Sequence, residues 1–279
     1  MWVHSLIVIR DASLAVRTQF EATGGIMDKY AAYTMIGLAR ILGGVSLLVF
    51  MIFLFVGSLN LLDMHLEENR LLLFDAGLSL LFFIQHSAML RKPFRRWLAG
   101  FVPEEYAGAI YAIASGTVLL FVILLWQRSS QTIITPSGFF RWSLRAIFFL
   151  CLLAFYWGVR ALRLFDPLGL RPIFNRLRGG HPKPIPITVA GPYRWVRHPL
   201  YFFMILMIWS CPDLTTDRLL FNLLWTVWIV IGACLEEIDL IAEFGDAYRE
   251  YQRRVPMLVP LLKWPKREQS MVSKGSERN

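Results

Sequence analysis

Three short stretches carry residue types suited to chemistry. The first, Gly191–Tyr201, reads GPYRWVRHPLY and holds two arginines, a histidine and two tyrosines in eleven residues. Pro199 predicts a helix start, because proline at the first helical position loses no hydrogen bond and presets φ. His198 then sits at the cap, beside backbone N–H groups that attract a carboxylate or phosphate. Arg194 and Arg197 stand close by, and Tyr201 follows His198 at i+3 on the same face. The pattern suits a pocket for a polar, partly anionic ligand at a membrane border. Arginine and tyrosine beside a membrane helix also serve as interfacial anchors, and this second reading stays open.

The second stretch, CLEEIDLIAEFGDAYREYQRRVP, begins at Cys234. Glu236 and Glu237 follow an apolar run, where carboxylates lose hydration and need partners. A cationic ligand, Arg194 or Arg197 would provide one. Glu237, Leu240, Phe244, Tyr248 and Tyr251 recur at three or four residues and predict one helical face. The same face suits an amphipathic helix lying on lipid headgroups. The third stretch, LFFIQHSAMLRKPFRRW, places Gln85, His86 and Ser87 inside an apolar run. A polar trio there is a candidate site or a helix-packing hydrogen bond.

The elements that must position these residues are membrane helices. The chain is 56% hydrophobic, above the composition of soluble domains. Four long apolar runs stand out: Ile41–Leu62, Leu71–Leu90, Ala107–Trp126 and Trp142–Leu162. A hydrocarbon core needs about 20 helical residues, and these runs match it. Two shorter runs follow, Leu200–Cys211 and Leu219–Leu235. The expected fold is an all-α integral membrane protein of about six transmembrane helices. The last two form a compact hairpin, and a cytoplasmic C-terminal amphipathic helix follows. The expected divisions are 1–32 as an N-terminal cytoplasmic segment, 33–162 as a four-helix membrane region, 163–262 as a region with the helical hairpin and both C-terminal stretches, and 263–279 as a polar tail.

Charge orients the chain. Of 29 lysines and arginines, 24 fall in the N-terminal forty residues, the loops after the second and fourth runs, and the tail after Glu236. Cytoplasmic loops are enriched in these residues, so both termini are expected in the cytoplasm. The basic balance therefore reads as topology and contact with membrane lipids, with no nucleic acid as partner. Cys151, Cys211 and Cys234 lie in apolar runs without a CxxC pair, which predicts small core residues and neither a disulfide framework nor a metal site. Residues 1–26 do not read as a signal peptide, because Arg10 and Asp11 interrupt a short apolar stretch.

GPYRWVRHPLY followed by EEIDLIAEFGDAYREYQRRVP resembles the isoprenylcysteine carboxyl methyltransferase superfamily over roughly residues 183–260. The resemblance implies an integral-membrane methyltransferase using S-adenosyl-L-methionine, held in a cytoplasmic pocket formed by the last helices. Carried onto this chain, Ile185, Pro186, Ile187 and Thr188 would touch the cofactor. Tyr193 would line the pocket, His198, Pro199, Leu200 and Tyr201 would hold the cofactor at the helix start, and Glu236 would face it. Two positions depart from the superfamily: Phe203 replaces a common glycine, and Gly232 stands where prenylcysteine enzymes carry an arginine for the substrate carboxylate. Gln85, His86 and Ser87 resemble the bacterial methanethiol S-methyltransferase and NnrU-like branch.

This branch implies S-methylation of a small thiol such as methanethiol, a small-molecule or lipid-soluble acceptor. The alternatives are methylation of a prenylcysteine carboxylate or phospholipid amine, a sterol-reductase-like activity, and a non-catalytic NnrU-like protein. A thiol reacts as its thiolate. His86 is the candidate base, and Arg194 and Arg197 are candidates to stabilise the anion. The sequence leaves the oligomeric state open.

Overall fold

In a computed structural model, the described residues are 27–162, 165–179 and 189–260. Helices α1 (Met27–Leu38) and α2 (Val45–Val56) are joined through a π-helical segment, Ala39–Gly44, into one apolar rod. Helix α3 (Glu68–Leu90) leads into short α4 (Lys92–Ala99), and α5 (Ala107–Leu125) follows a 3₁₀ turn at Glu104–Tyr106. Then come α6 (Gly138–Ala161), α7 (Arg171–Leu177), a 3₁₀ turn at Gly191–Arg194, α8 (Pro199–Trp209), α9 (Thr216–Phe244) and α10 (Asp246–Arg254). Strands β1 (Thr132–Ile134) and β2 (Leu214–Thr215) pair antiparallel in the loops before α6 and α9.

The protein is an all-α, multi-pass membrane protein. Among the described residues, five segments are long and apolar enough to cross a bilayer: Lys29–Val56, Glu68–Leu90, Glu104–Leu125, Gly138–Ala161 and Thr216–Phe244. The sixth apolar helix, α8, has 11 residues. At 1.5 Å per residue it reaches roughly 16 Å, about half of a hydrocarbon core. The terminal hairpin is therefore unequal, a short α8 against a 29-residue α9.

Aromatic packing forms the centre. Phe50, Phe53, Phe82, Phe83, Trp126, Phe221 and Trp225 are buried in one cluster with Ile229 and Met207. In lipid the association of helices depends on close packing and internal hydrogen bonds. Gly116 on α5 meets this need: a Cβ there would lie 2.6 Å from the Leu42 carbonyl oxygen. At the end of the bundle away from His198, buried Arg218 donates to the carbonyls of Phe53, Leu54 and Ile208. These carbonyls lie in the last turns of α2 and α8, where acceptors run short of helical partners, although that of Phe53 also accepts from the Gly57 N–H. Asp217 accepts from the Trp126 indole at 3.1 Å and the Ser129 N–H at 3.0 Å.

Four expectations change. The first membrane helix begins at Met27 and ends at Val56, not Ile41–Leu62, because Gly57 leaves helical geometry at φ +93°. Arg171–Leu177 is a helix, although the prolines and glycines spread over residues 171–192 predict an irregular loop throughout; Pro172 falls in its first turn, where proline is tolerated. The single face from Glu237 to Tyr251 is broken, because Gly245 turns the chain at φ +57°. Cys234 is exposed on the surface of α9 and is not a core residue.

Candidate active site

His198 caps α8 with φ −120° and ψ 64°, and Pro199 occupies the first turn. The geometry is the one that Pro199 predicts. The chain around the cap is held by the C-terminal segment: Arg197 N–H donates to the Pro256 carbonyl at 2.9 Å, and His198 N–H to that of Met257 at 3.1 Å. Gly245 bends the chain between α9 and α10, so α10 folds back over the start of α8.

Glu237 joins the parts. Its carboxylate accepts a two-pronged bond from Arg197, with Nε to Oε1 at 2.8 Å and Nη2 to Oε2 at 2.7 Å. His198 Nε2 lies 2.8 Å from Oε1, the Tyr248 hydroxyl donates to Oε1 at 2.7 Å, and Gln252 Nε2 donates to Oε2. Arg197 Nη1 also donates to the carbonyls of Gln252 and Val255. Burial works against the Arg197 charge, but the Glu237 carboxylate overrides it and holds the guanidinium pKa above its ordinary value. Because Glu237 is acceptor-only when ionised, His198 carries its proton on Nε2.

Glu236 lies on the other side of the imidazole. It accepts from the Tyr201 hydroxyl at 2.7 Å, and its Oε2 stands 3.8 Å from His198 Nδ1. The His198 and Tyr201 rings stack at 5.4 Å between centroids. Tyr193 is buried, and its hydroxyl has no hydrogen-bond partner among the described residues. Burial raises its pKa first, and the Glu236 charge raises it further, so it stays a neutral phenol able to donate. Tyr251 donates to the Tyr193 carbonyl at 2.5 Å and fixes the turn that carries this phenol. A buried hydroxyl that feels the Glu236 charge and has no partner among the described residues calls for an explanation, since buried polar groups are normally paired.

The structure therefore brings together Tyr193, Arg197, His198, Pro199, Leu200, Tyr201 and Glu236. Arg194 is exposed on the 3₁₀ turn. Ile185, Pro186, Ile187 and Thr188 lie outside the described residues. His86 sits elsewhere, on α3 against α5 and α9: its Nε2 is 2.7 Å from the Tyr111 hydroxyl, and its ring meets Trp228 edge-on at 5.2 Å. Eight residues separate Trp228 from Glu236 along α9, about 12 Å of helical rise. Sequence reasoning missed the joining role of Glu237 and the contributions of Tyr248 and Gln252. The spacing of Tyr248 from Glu237 hinted at one of these; Gln252 carried no signal.

Comparison with known proteins gives the family. The chain is 38% identical over 182 residues to methanethiol S-methyltransferase 2 of Bradyrhizobium diazoefficiens, covering 65% of this chain and 70% of that protein. It is 32% identical over 222 residues to methanethiol S-methyltransferase of Crocosphaera subtropica, covering 75% and 84%. Nurim of Rattus norvegicus is 27% identical over 192 residues, covering 61% and 68%. No family model matches, and no solved structure matches. These relatives agree with the superfamily and branch that the two C-terminal motifs and the α3 trio resemble. By its identity to curated members over more than two thirds of their length, and by its membrane helices, this chain belongs to the methanethiol S-methyltransferase family of membrane methyltransferases.

Proposed function

We propose that this methyltransferase transfers a methyl group from S-adenosyl-L-methionine to methanethiol or a similarly small thiol, with its donor pocket facing the cytoplasm. The observation that carries the donor assignment is the unpaired Tyr193 hydroxyl, buried beside Glu236 and the His198 cap. The residues present fit a zwitterionic ligand. Tyr193 offers a donor, Glu236 an acceptor for an ammonium or ribose hydroxyl, and the start of α8 offers backbone N–H groups to a carboxylate. Pro199, Leu200 and Tyr201 would shape the wall, with Ile185, Pro186, Ile187 and Thr188 completing it.

Bound S-adenosyl-L-methionine supplies an electrophilic methyl group on a sulfonium. The chain's own groups orient the pocket and handle the proton. Glu237 holds His198 with its proton on Nε2, so Nδ1 faces the Glu236 side. Arg197, neutralised by Glu237, acts by fixing that carboxylate, while exposed Arg194 adds positive potential at the rim. His86 takes the thiol proton at a ring nitrogen. The apolar walls of α8 and α9 keep water out, which favours a reaction that brings an anion to a sulfonium. Relatives named for methanethiol support the acceptor, as does Gly232, which leaves a carboxylate acceptor without its expected cation.

The test of the pocket is calorimetric titration with S-adenosyl-L-methionine. His198→Ala and Glu236→Ala should each weaken binding about tenfold or more, the worth of a charge-assisted hydrogen bond. Unchanged affinity in both variants would overturn the pocket.

A further inference from the structure

His86 belongs to a polar chain buried between α3 and α5. Its ring lies 2.7 Å (Nε2) and 3.1 Å (Nδ1) from the Tyr111 hydroxyl. Tyr111 hydrogen-bonds with Ser115 one turn on, and Ser115 Oγ accepts from Gln85 Nε2 at 3.3 Å. The same Nε2 reaches Met89 Sδ at 2.8 Å. The chain ends on Gln85 Oε1, a buried acceptor with no hydrogen-bond partner among the described residues. An unpaired buried carbonyl oxygen is costly to keep, and a donor arriving with a ligand removes that cost.

The surroundings select the ligand. Phe82 and Trp228 lie 5.0 and 5.2 Å from the His86 ring, and Phe83 stacks on Trp228 at 4.6 Å. Aromatic walls and the Met89 thioether suit a polarisable sulfur. A thiol has the one weak S–H donor that Gln85 Oε1 lacks. A carboxylate would bring more acceptor oxygens to an acceptor and has no proton to give it.

We propose that Gln85 and Tyr111 complete the subsite for the methyl acceptor. A small uncharged thiol docks with its S–H on Gln85 Oε1; as the sulfur attacks, that S–H turns from Gln85 to the His86 imidazole, held by Tyr111, which takes the proton. The proposal rests on the thiol-methyltransferase reading above. A bond forms between the thiol sulfur and the methyl carbon. The bond from that carbon to the sulfonium donor breaks, and its electron pair stays on the donor sulfur, which becomes a neutral thioether. The thiol proton passes to a His86 nitrogen, so the single positive charge moves from donor to imidazole, and nothing is oxidised or reduced. The subsite sits deeper along α9 than Glu236, so the acceptor approaches the donor pocket from the membrane side.

The experiment uses the full-length protein in detergent, with Gln85→Met and Tyr111→Phe. Titration with S-adenosyl-L-methionine checks the fold of each variant. Ethanethiol binding without donor is followed by saturation-transfer NMR, and kcat and KM for the thiol are measured from pH 6 to 9. Gln85→Met should weaken thiol binding and raise KM about five- to tenfold with kcat less affected. Tyr111→Phe should keep thiol binding but lose rate at neutral pH, with activity recovering toward the free thiol pKa of about 8.5. Should Gln85→Met lose donor binding, Gln85→Asn takes its place. A wild-type protein that makes a thioether, with variants unchanged in thiol binding, KM and pH profile, overturns the subsite alone. A wild-type protein that binds the donor but methylates no thiol overturns the reading beneath it, and the subsite with it.

Discussion

Glu237 is the residue on which the proposed donor pocket depends, although it need not touch a ligand. It accepts from Arg197, His198, Tyr248 and Gln252, and the Arg197–Glu237 pair is 9% exposed on each side. Removing one member of a buried pair leaves the other charge without compensation, at a cost of about 3–5 kcal/mol. Glu237→Ala should therefore lower the midpoint of thermal unfolding in detergent and abolish donor binding together. Tyr193 is the contrasting case. Its hydroxyl has no partner among the described residues, so Tyr193→Phe should leave the unfolding midpoint unchanged. Calorimetry should nevertheless find donor affinity reduced about tenfold, because the hydroxyl meets its partner only when the ligand is bound. A Phe variant that binds the donor as well as the wild type would remove Tyr193 from the pocket.

At the scale of elements, α10 clasps the start of α8, and its phenols make that clasp sensitive to alkali. Burial raises the pKa of Tyr193, Tyr248 and Tyr251 above the ordinary phenol value, and Glu237 adds to this for Tyr248 and Tyr251. A group whose pKa is raised by folding contributes stability below its unfolded pKa and loses it as pH rises through the folded value. The unfolding midpoint should thus be flat up to about pH 10, where phenols of the unfolded chain ionise, and fall above it. Tyr248→Phe should shallow that fall; an unaltered slope would contradict the clasp. Much of this element was legible. Pro199 announced the start of α8, and the apolar runs announced α3, α5 and α6 with nearby bounds. The fold-back of α10 was not, because a three-to-four periodicity continues through Gly245 as if the helix did. Only the backbone reveals that φ of +57° there. The link from His86 to Tyr111 was hidden for a similar reason. Apolar α3 and α5 offer no pattern that fixes which faces meet.

At the scale of the molecule, α3 runs alongside α9 in the same direction, Ser79 meeting Trp225 and Ser87 meeting Trp228, so the basic stretch Arg91–Arg96 that follows α3 lies toward the end of α9 that holds Glu236 and faces His198. We expect that end in the cytoplasm. In a Cys234→Ala background, cysteines placed at Arg178 and Ser273 should react with a reagent confined to the cytoplasmic side, and one at His65 should not. Labelling of Arg178 and Ser273 positions from opposite sides would overturn the topology. A cytoplasmic donor and a thiol arriving through the membrane would then meet between α3, α5 and α9. The most direct measurement is the product formed by purified protein from methyl-labelled S-adenosyl-L-methionine offered methanethiol, a prenylcysteine and a phospholipid together. Label in dimethyl sulfide is the result predicted here. Label in a methyl ester or a methylated amine, with none in a thioether, would contradict it.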